Sequence, residues 1–497
     1  MRTSRRNFIK YAAAALVGGS TTTLSSQYLL SSSSRLSGAD TAISNMSALD
    51  DIDKRYKPPE YLEFMEWLQD ISKPYKGKKL VCAFELEPSP LGLQRMDPDY
   101  FKHTGIDVGY ELAPYTQNLL NTTLAVNTKA PTYDLINVDD SQLARFKDHM
   151  IPPQELAERY PEITFPNLDT NDFFDSAWAF SAKYPQDLMF PPYEKYLNGK
   201  VFEWPQDMPM MVRFYRKDIY ENEGITPGKT WEEYREDLRM FDDPAAGFFG
   251  GVSMAFSHVS IILEYLNHLH SFGGKIWEVD EDGIRCVINS DEAIAALENY
   301  VQLRQYSDPV SSSATWAEAG LMMAIGRVAN AIQFADYASV VNNPIQSKTP
   351  GKWGYTSTPE GPAGSFSTFA GAGVGVSQYS RNPEAAWLWL QWATSLGTQK
   401  MILQDPLHHS IPTRMKAYDD PVIQQKIETG NLEYLKVVRD IMAKSHLATL
   451  IAFPAWSSIR VILSLRLSSC WSKRLTPREA LKQIQEEIDN MGPVFQF

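Results

Sequence analysis

The chain has 497 residues, of which 43% are hydrophobic and 22% charged, and its formal net charge is −13. This length is enough for two or three ordinary domains, each with a core of its own. The acidic balance argues against nucleic acid or an anionic membrane as a partner, because both attract basic surfaces.

The N-terminus carries the pattern of an export signal. Residues 4–10 read S-R-R-N-F-I-K, which resembles a twin-arginine motif, and a weakly apolar run from Tyr11 to Val17 follows. That run is too short to span a membrane, and no later segment reaches the roughly 18 consecutive apolar residues of a transmembrane helix. We therefore expect residues 1–55 to be a twin-arginine signal and a Ser/Thr-rich linker, and the mature protein to be periplasmic or extracellular.

The predicted elements begin after Pro58, with helical spacing over Pro59–Leu68. Short apolar runs at 78–85, 106–112 and 133–140 are typical of buried strands, and a helical pattern over 116–126 separates the last two. This order predicts an open, mostly parallel α/β sheet, in which ligands bind beyond the carboxyl ends of the strands. The side chains at those ends are acidic: Glu85, Glu87, Asp139 and Asp140. Helix caps or turns are the alternative role for them.

The second half of the chain continues the pattern. Met211–Tyr220 predicts a strand that runs into a helix, and Thr230 with Glu233 forms a capping box at the start of a helix over 231–241. Further amphipathic helices are predicted over residues 291–306, 383–396 and 476–489. Ser290 is the predicted cap of the first of these, and Thr476, with Glu479 at N3, that of the last. The cysteines, Cys82, Cys286 and Cys470, are far apart and form no C-x-x-C motif, which argues against thiol redox chemistry and cysteine-ligated clusters.

Several segments, taken in order, resemble one family. The first and third strands read G-K-K-L-V-C-A-F-E and Y-D-L-I-N-V-D-D, and the later pieces include N-G-K-V-F-E-W-P-Q-D, T-P-G-K-T-W-E-E-Y, F-G-G-K-I-W, F-A-G-A-G-V-G-V-S and F-P-A-W. Over residues 76–492 the chain thereby resembles extracellular solute-binding proteins of the maltose-binding type. These are the soluble components of ABC importers.

The resemblance implies two α/β lobes joined by three crossings, with the ligand between them and hinge closure as the mechanism. The implied lobes are residues 56–206 with 374–415, and 207–373 with 416–497. The implied crossings lie near 204–211, 369–374 and 410–421.

The resemblance also implies a set of ligand-binding positions in the cleft. They are Phe84, Glu85, Glu87, Asp139, Asp140, Trp204, Asp207, Phe334, Asp336, Tyr337, Gly371 and Trp456. Trp456 matches an aromatic sugar platform of relatives, whereas the tryptophan of the family's G-x-W motif is missing, because the chain reads Phe334-Ala335-Asp336-Tyr337 there. We interpret Trp231, Trp277 and Trp316 as packing residues.

The implied function is capture of a small solute, above all a sugar or oligosaccharide, and its delivery to the transmembrane subunits of an ABC permease. The implied protein is a monomer that uses no cofactor, no metal and no covalent chemistry. A receptor for a polyol, a polyamine or a metal chelate is the alternative within the family, since an acidic cleft suits cations. A secreted carbohydrate-active enzyme is a further alternative, although no G-x-S-x-G or H-E-x-x-H motif is present.

Overall fold

Two β-sheets organise the folded unit of the chain, which begins at Arg55. The structure is a computed structural model that describes residue 52 and residues 55–184, 199–280, 283–430, 432–444, 447–448 and 455–492. The predicted export signal and most of the predicted linker lie outside the described residues.

The strands are β1 (Lys79–Glu85), β2 (Asp107–Ala113), β3 (Leu135–Asp139), β4 (Met150–Ile151), β5 (Lys183–Tyr184), β6 (Lys200–Val201), β7 (Trp204–Asp207), β8 (Met211–Arg216), β9 (Phe249–Val252), β10 (Trp277–Asp280), β11 (Gly283–Cys286), β12 (Val328–Phe334), β13 (Trp353–Thr356), β14 (Ser367–Thr368), β15 (Ala372–Ser377) and β16 (Leu447–Ala448).

The helices are α1 (Pro59–Ile71), α2 (Pro88–Thr104), α3 (Tyr115–Asn127), α4 (Leu143–Phe146), α5 (Pro153–Arg159), α6 (Asp175–Ser181), α7 (Lys217–Glu223), α8 (Trp231–Met240), α9 (Val259–Ser271), α10 (Asp291–Gln302), α11 (Trp316–Ala324), α12 (Ala338–Val341), α13 (Pro383–Ala393), α14 (Leu396–Ile402), α15 (Pro421–Glu428), α16 (Tyr434–Lys444), α17 (Trp456–Trp471) and α18 (Pro477–Asp489).

The first sheet has the order β2-β1-β3-β15-β4, with β7 beside β15. Strands β2, β1 and β3 run parallel, so their carboxyl ends meet at one edge of the sheet. One face is covered by α13, whose Trp387, Trp389 and Trp392 are fully buried. Burial of these side chains stabilises the packing of α13 on the sheet, because each aromatic ring removes a large apolar area from water.

The second sheet has the order β13-β8-β12-β9. Helices α9, α10, α17 and α18 pack against one another beside it. The chain leaves the first sheet after Asp207 and enters the second at Met211, and it returns between Thr368 and Ala372. The chain passes between the lobes a third time after α14 and before α16. Helix α14 packs on α1, whereas α16 packs on β13 of the second sheet. These passages give the predicted two-lobed α/β class.

The pairing within the sheets differs from the expected mostly parallel order, because both sheets are mixed. Strand β15 is antiparallel to β3, and β8 is antiparallel to both β12 and β13. The reason lies in the passages between lobes. Ala372, the first residue of β15, pairs with Asp139, the last residue of β3. A strand that arrives from the other lobe enters at the edge where β3 ends, so it must run in the opposite direction.

The capping residues in the sequence predicted where helices begin more accurately than the hydrophobic pattern predicted where they end. The capping boxes at Thr230 and Thr476 are both formed, and Ser290 caps α10 as expected. The helix predicted over 383–396 instead ends at Ala393, because the Ser395 side chain accepts a hydrogen bond from the Thr398 amide and starts a new helix. All three cysteines are free and buried, as predicted for Cys82. No helix within the described ranges is long and apolar enough to cross a membrane.

Candidate ligand cavity between the two sheets

A cavity lies where the carboxyl ends of β1 and β3 face the second lobe. The first lobe contributes side chains that accept or donate hydrogen bonds, and the second contributes mainly apolar ones. From the first lobe come Glu85, Glu87, Tyr115, Asn118, Asn137, Asp139, Asp140 and Gln142, and from the second come Val259, Leu263, Trp316 and Phe334. The cavity volume is about 60 Å³.

The acidic wall follows from the parallel pairing of β1 and β3. Asp139 ends β3 and caps the 3-10 turn that follows, accepting hydrogen bonds from the Ser141 amide at 3.0 Å and the Tyr115 hydroxyl at 3.1 Å. Asp140 accepts from the same amide at 2.7 Å through Oδ1, while its Oδ2 is buried and has no hydrogen-bond partner. Its own amide donates to the Gly371 carbonyl at 2.9 Å, which ties the wall to the passage between lobes.

Burial raises the pKa of every carboxyl group on this wall. For Glu85 burial and the neighbouring Glu87 raise the pKa well above its ordinary range, and the two carboxyl groups share a hydrogen bond. Burial raises the pKa of Glu87 to about 8. For Asp139 burial raises the pKa, opposed by the hydrogen bonds from Ser141 and Tyr115. The shared cause is burial, which disfavours the charged form of a carboxyl group.

The aromatic wall is built around Trp316, the first residue of α11. A capping box of Thr315 and Glu318 starts this helix, and the indole of Trp316 lines the cavity. Its ring lies 5.7 Å from that of Tyr115 and 6.0 Å from that of Phe334, both near-perpendicular. The side chain of Trp316 also hydrogen-bonds the carboxylate of Glu85, so it bridges the apolar and acidic walls.

A second group of carboxylates continues from the cavity towards the passages between lobes. Asp207 ends β7 and Asp336 follows β12, and each has one buried oxygen without a hydrogen-bond partner. Burial raises the pKa of Asp336 to about 7. Burial, then the charges of Asp336 and Glu87, raise the pKa of Asp207 well above its ordinary range. Glu203 is fully buried near Asp139 and Asp140, with neither oxygen hydrogen-bonded.

Arg460 of α17 brings positive charge to this region. Its guanidinium carbon lies 5.5 Å from the centroid of the Tyr115 ring, and its charge lowers the pKa of Asp139. His258, packed 4.8 Å from Trp316, supplies no charge, because burial lowers its pKa to about 3. Within the described residues no group of three or more His, Cys, Asp and Glu side chains is arranged to hold a metal ion.

The structure brings many of the predicted positions together at or beside the cavity. Those that line it are Glu85, Glu87, Asp139, Asp140 and Phe334. Gly371 lies between two lining alanines, where an added Cβ would come within 1.9 Å of the Ser181 hydroxyl. Asp207, Asp336 and Tyr337 lie next to it, since each interacts electrostatically with Glu87.

Three predicted positions neither line the cavity nor are placed beside it. Phe84 alternates with Glu85 along β1, so its ring faces α13, where it lies 6.0 Å from the ring of Trp389. It also stacks on the ring of Tyr110 at 6.3 Å. Trp204 packs at 4.8 Å from Trp387 of that helix. Trp456 is 1% exposed and belongs to a hydrophobic core cluster that includes residues of both lobes. Each indole or phenyl ring is buried by tertiary packing, which removes it from the cavity in this conformation.

Sequence reasoning missed three positions at or beside the cavity. Trp316 was interpreted as a packing residue, although the capping box of Thr315 and Glu318 marks it as the start of a helix. Tyr115 follows β2, whose carboxyl end could have been treated like those of β1 and β3. Arg460 had no signal in the sequence, because only the packing of α17 brings it near Tyr115.

Hydrogen-bond acceptors on one wall and aromatic faces on the other are what a binding site for a polar solute provides. Comparison with known proteins agrees. A family model described as bacterial extracellular solute-binding protein matches residues 86–400. The chain belongs to this family, and its role is to bind a solute.

Two curated relatives are distant but cover most of the chain. The probable amino-acid ABC transporter periplasmic-binding protein y4oP of Sinorhizobium fredii is 20% identical over 431 residues, covering 84% of this chain and 90% of the relative. The erythritol/L-threitol-binding protein of Mycolicibacterium smegmatis is 22% identical over 382 residues, covering 72% of this chain and 74% of the relative.

Solved structures share the fold. A solute-binding protein of an ABC transporter from Agrobacterium radiobacter K84, in complex with ribitol, has a TM-score of 0.72 at 21% identity, covering 84% of this chain and 100% of that chain. Maltose-bound MalE3 of T. maritima has a TM-score of 0.70 at 20% identity, with the same coverage. At these identities the likeness supports the two-lobed architecture alone.

Proposed function

We propose that this protein captures a small polyhydroxylated solute, a polyol or a sugar, between its two lobes and delivers it to the membrane subunits of an ABC importer. The observation that carries the proposal is the cavity itself, with carboxylates and amides on one wall and Trp316 on the other. Carboxylates accept strong hydrogen bonds from hydroxyl groups, and an aromatic face packs against the C–H groups of a carbon chain or ring. The ribitol, maltose and erythritol or threitol named for the relatives are solutes of this kind.

In this proposal the binding roles divide between the lobes. Glu85, Asp139 and Asp140 accept hydrogen bonds from solute hydroxyls, and the Asn118 and Asn137 amides serve as donors or acceptors. Trp316 and Phe334 of the second lobe cover the carbon skeleton. The neighbouring side chains support this arrangement from the region where the chain passes between the lobes. They are Glu87, Asp207, Asp336 and Tyr337, together with the small residues around Gly371.

Closure of the two lobes is the proposed mechanism of capture. The cavity is lined by residues of both lobes, and in this proposal the lobes move apart to admit the solute by bending at the passages, residues 208–210 and 369–371. The solute then favours the closed form to the extent that it binds that form better than the open one. No covalent step is involved, and a monomer is sufficient.

We propose export by the twin-arginine route, with function in the periplasm or outside the cell. The S-R-R-N-F-I-K pattern of residues 4–10 supports this, together with family membership. These residues lie outside the described ranges, so the proposal rests on the sequence pattern.

The test is a calorimetric and tryptophan-fluorescence titration of the mature protein with erythritol, ribitol, D-mannitol, maltose and raffinose. Saturable binding with a micromolar dissociation constant for at least one of them supports the proposal. Asp139→Asn should weaken that binding at least tenfold, whereas Asp148→Asn, a surface aspartate paired with Lys147, should leave it unchanged. If no polyol or sugar binds at millimolar concentration, the proposal is wrong.

A further inference from the structure

We infer that the solute of this cavity carries a protonated amine beside its hydroxyl groups, as amino alcohols and amino sugars do. This inference rests on the proposed function, because it narrows the class of solute bound at the same site. It starts from an imbalance between acidic groups and their partners.

The first observation is the surplus of carboxylates. Glu85, Glu87, Asp139 and Asp140 line one small cavity, and Asp207 and Asp336 lie next to it, acting electrostatically on one another and on Glu87. The ion pairs of the described chain use other carboxylates, for example Asp237 with Arg213 and Asp420 with Lys400. Arg460 offsets part of this charge at Asp139. A neutral polyol offers hydroxyl donors but no charge, so it would leave the other carboxyl groups without a cationic partner.

The second observation is an unpartnered oxygen on a residue that lines the cavity. Asp140 is 6% exposed, lines the cavity, and has no hydrogen-bond partner at Oδ2. A buried acceptor without a partner is costly, and folded proteins usually leave one only where a ligand, ion or water completes it. Asp207 and Asp336 repeat the pattern, each with one buried, unpartnered oxygen.

An ammonium group satisfies these unpartnered carboxylate oxygens better than a hydroxyl group does. It offers three N–H donors and a full positive charge, and each of its hydrogen bonds to a carboxylate is charge-assisted. A bare metal ion fits less well, because no described cluster of three or more acidic, His or Cys ligands converges on one point. The nearby amides of Asn118 and Asn137 and the face of Trp316 suit the remaining hydroxyls and carbon chain of the same solute.

The experiment compares matched pairs of solutes that differ in one amine. The pairs are 2-amino-1,3-propanediol with glycerol, D-glucamine with D-sorbitol, and D-glucosamine with D-glucose, titrated calorimetrically at pH 7. We expect the amine member of at least one pair to bind at least tenfold more tightly than its neutral partner. Putrescine is added as an amine without hydroxyls.

The outcomes separate this inference from the proposed function. Equal or tighter binding of the neutral partners would overturn the amine and leave the polyol receptor standing. If no member of any pair and none of the polyols binds, both the amine inference and the proposed polyol receptor are overturned. Binding of putrescine alone would support the positive charge and overturn the polyhydroxylated skeleton.

A variant locates the charge. Asp140→Asn keeps the shape of the side chain and removes its negative charge, so the ratio between amine and neutral affinities should fall at least fivefold. Asp148→Asn, on the surface, is the matched control and should preserve the ratio. An unchanged ratio in Asp140→Asn, with the protein folded by circular dichroism, would overturn the assignment of the amine to this wall.

Discussion

Trp456→Ala decides whether this indole is a ligand platform or a core residue. The resemblance assigns Trp456 to sugar stacking, whereas the structure buries it in a hydrophobic core cluster, 1% exposed and with its indole N–H unpartnered. Removing a fully buried tryptophan side chain leaves a cavity and costs about 3–5 kcal/mol of unfolding free energy. Removing an exposed platform would cost less than about 0.5 kcal/mol.

The assay has two measurements on the same variant. Urea unfolding followed by circular dichroism gives the change in unfolding free energy, and the solute titration gives the change in affinity. We expect a loss of about 3–5 kcal/mol in stability, with affinity for the tightest-binding panel member changed less than about threefold. Trp67→Ala, at a partly exposed tryptophan packed on Phe64 and Phe165, is the control and should cost less.

The refuting result is equally specific. If Trp456→Ala keeps the wild-type unfolding midpoint and loses tenfold or more in affinity, the indole reaches the solute and the assignment to the core is wrong. Such a result would also mean that α17 moves at its N-terminus between the empty and the bound protein.

The other predictions concern the cavity, pH and export. Trp316→Ala should weaken binding of the tightest panel member at least tenfold, because its indole lines the cavity; unchanged affinity would exclude it from the site. Burial raises the pKa of Glu87 from 4.5 to about 8, so the folded protein holds a proton that the unfolded chain releases, and stability of the empty protein should fall as pH rises through that window. Glu87→Gln should flatten this slope, and a wild-type profile with no slope would contradict the assignment. Burial raises the pKa of Asp405, but its two arginine partners bring it down to about 2; the stability it contributes should therefore be lost as pH falls from about 4 towards 2, and Asp405→Asn should remove that acid dependence in urea titrations. Arg5→Lys with Arg6→Lys should leave the protein in the cytoplasm in cell fractionation, and normal export would remove the twin-arginine assignment.

Positions that depend on local patterns were predictable from the sequence. Strands β1 to β3 are apolar runs between turn signals, and the caps at Thr230, Ser290 and Thr476 depend on side chains within three residues of the helix start. The acidic wall also followed, because parallel strands bring Glu85 and Asp139 to one edge. The two-lobed class came from the order of many such segments, each weak by itself.

The sequence by itself thus determined the elements, the family and the acidic half of the cavity. Only the tertiary structure decided the direction of β15, the burial of Trp456 and the placing of Trp316 and Arg460 beside Tyr115. These depend on contacts between segments more than a hundred residues apart, and nothing in a local pattern says which face of such a segment meets which partner. A tryptophan in a hydrophobic core cannot be told from one in a binding site by its place in the sequence, so only the packing around its indole assigns its role.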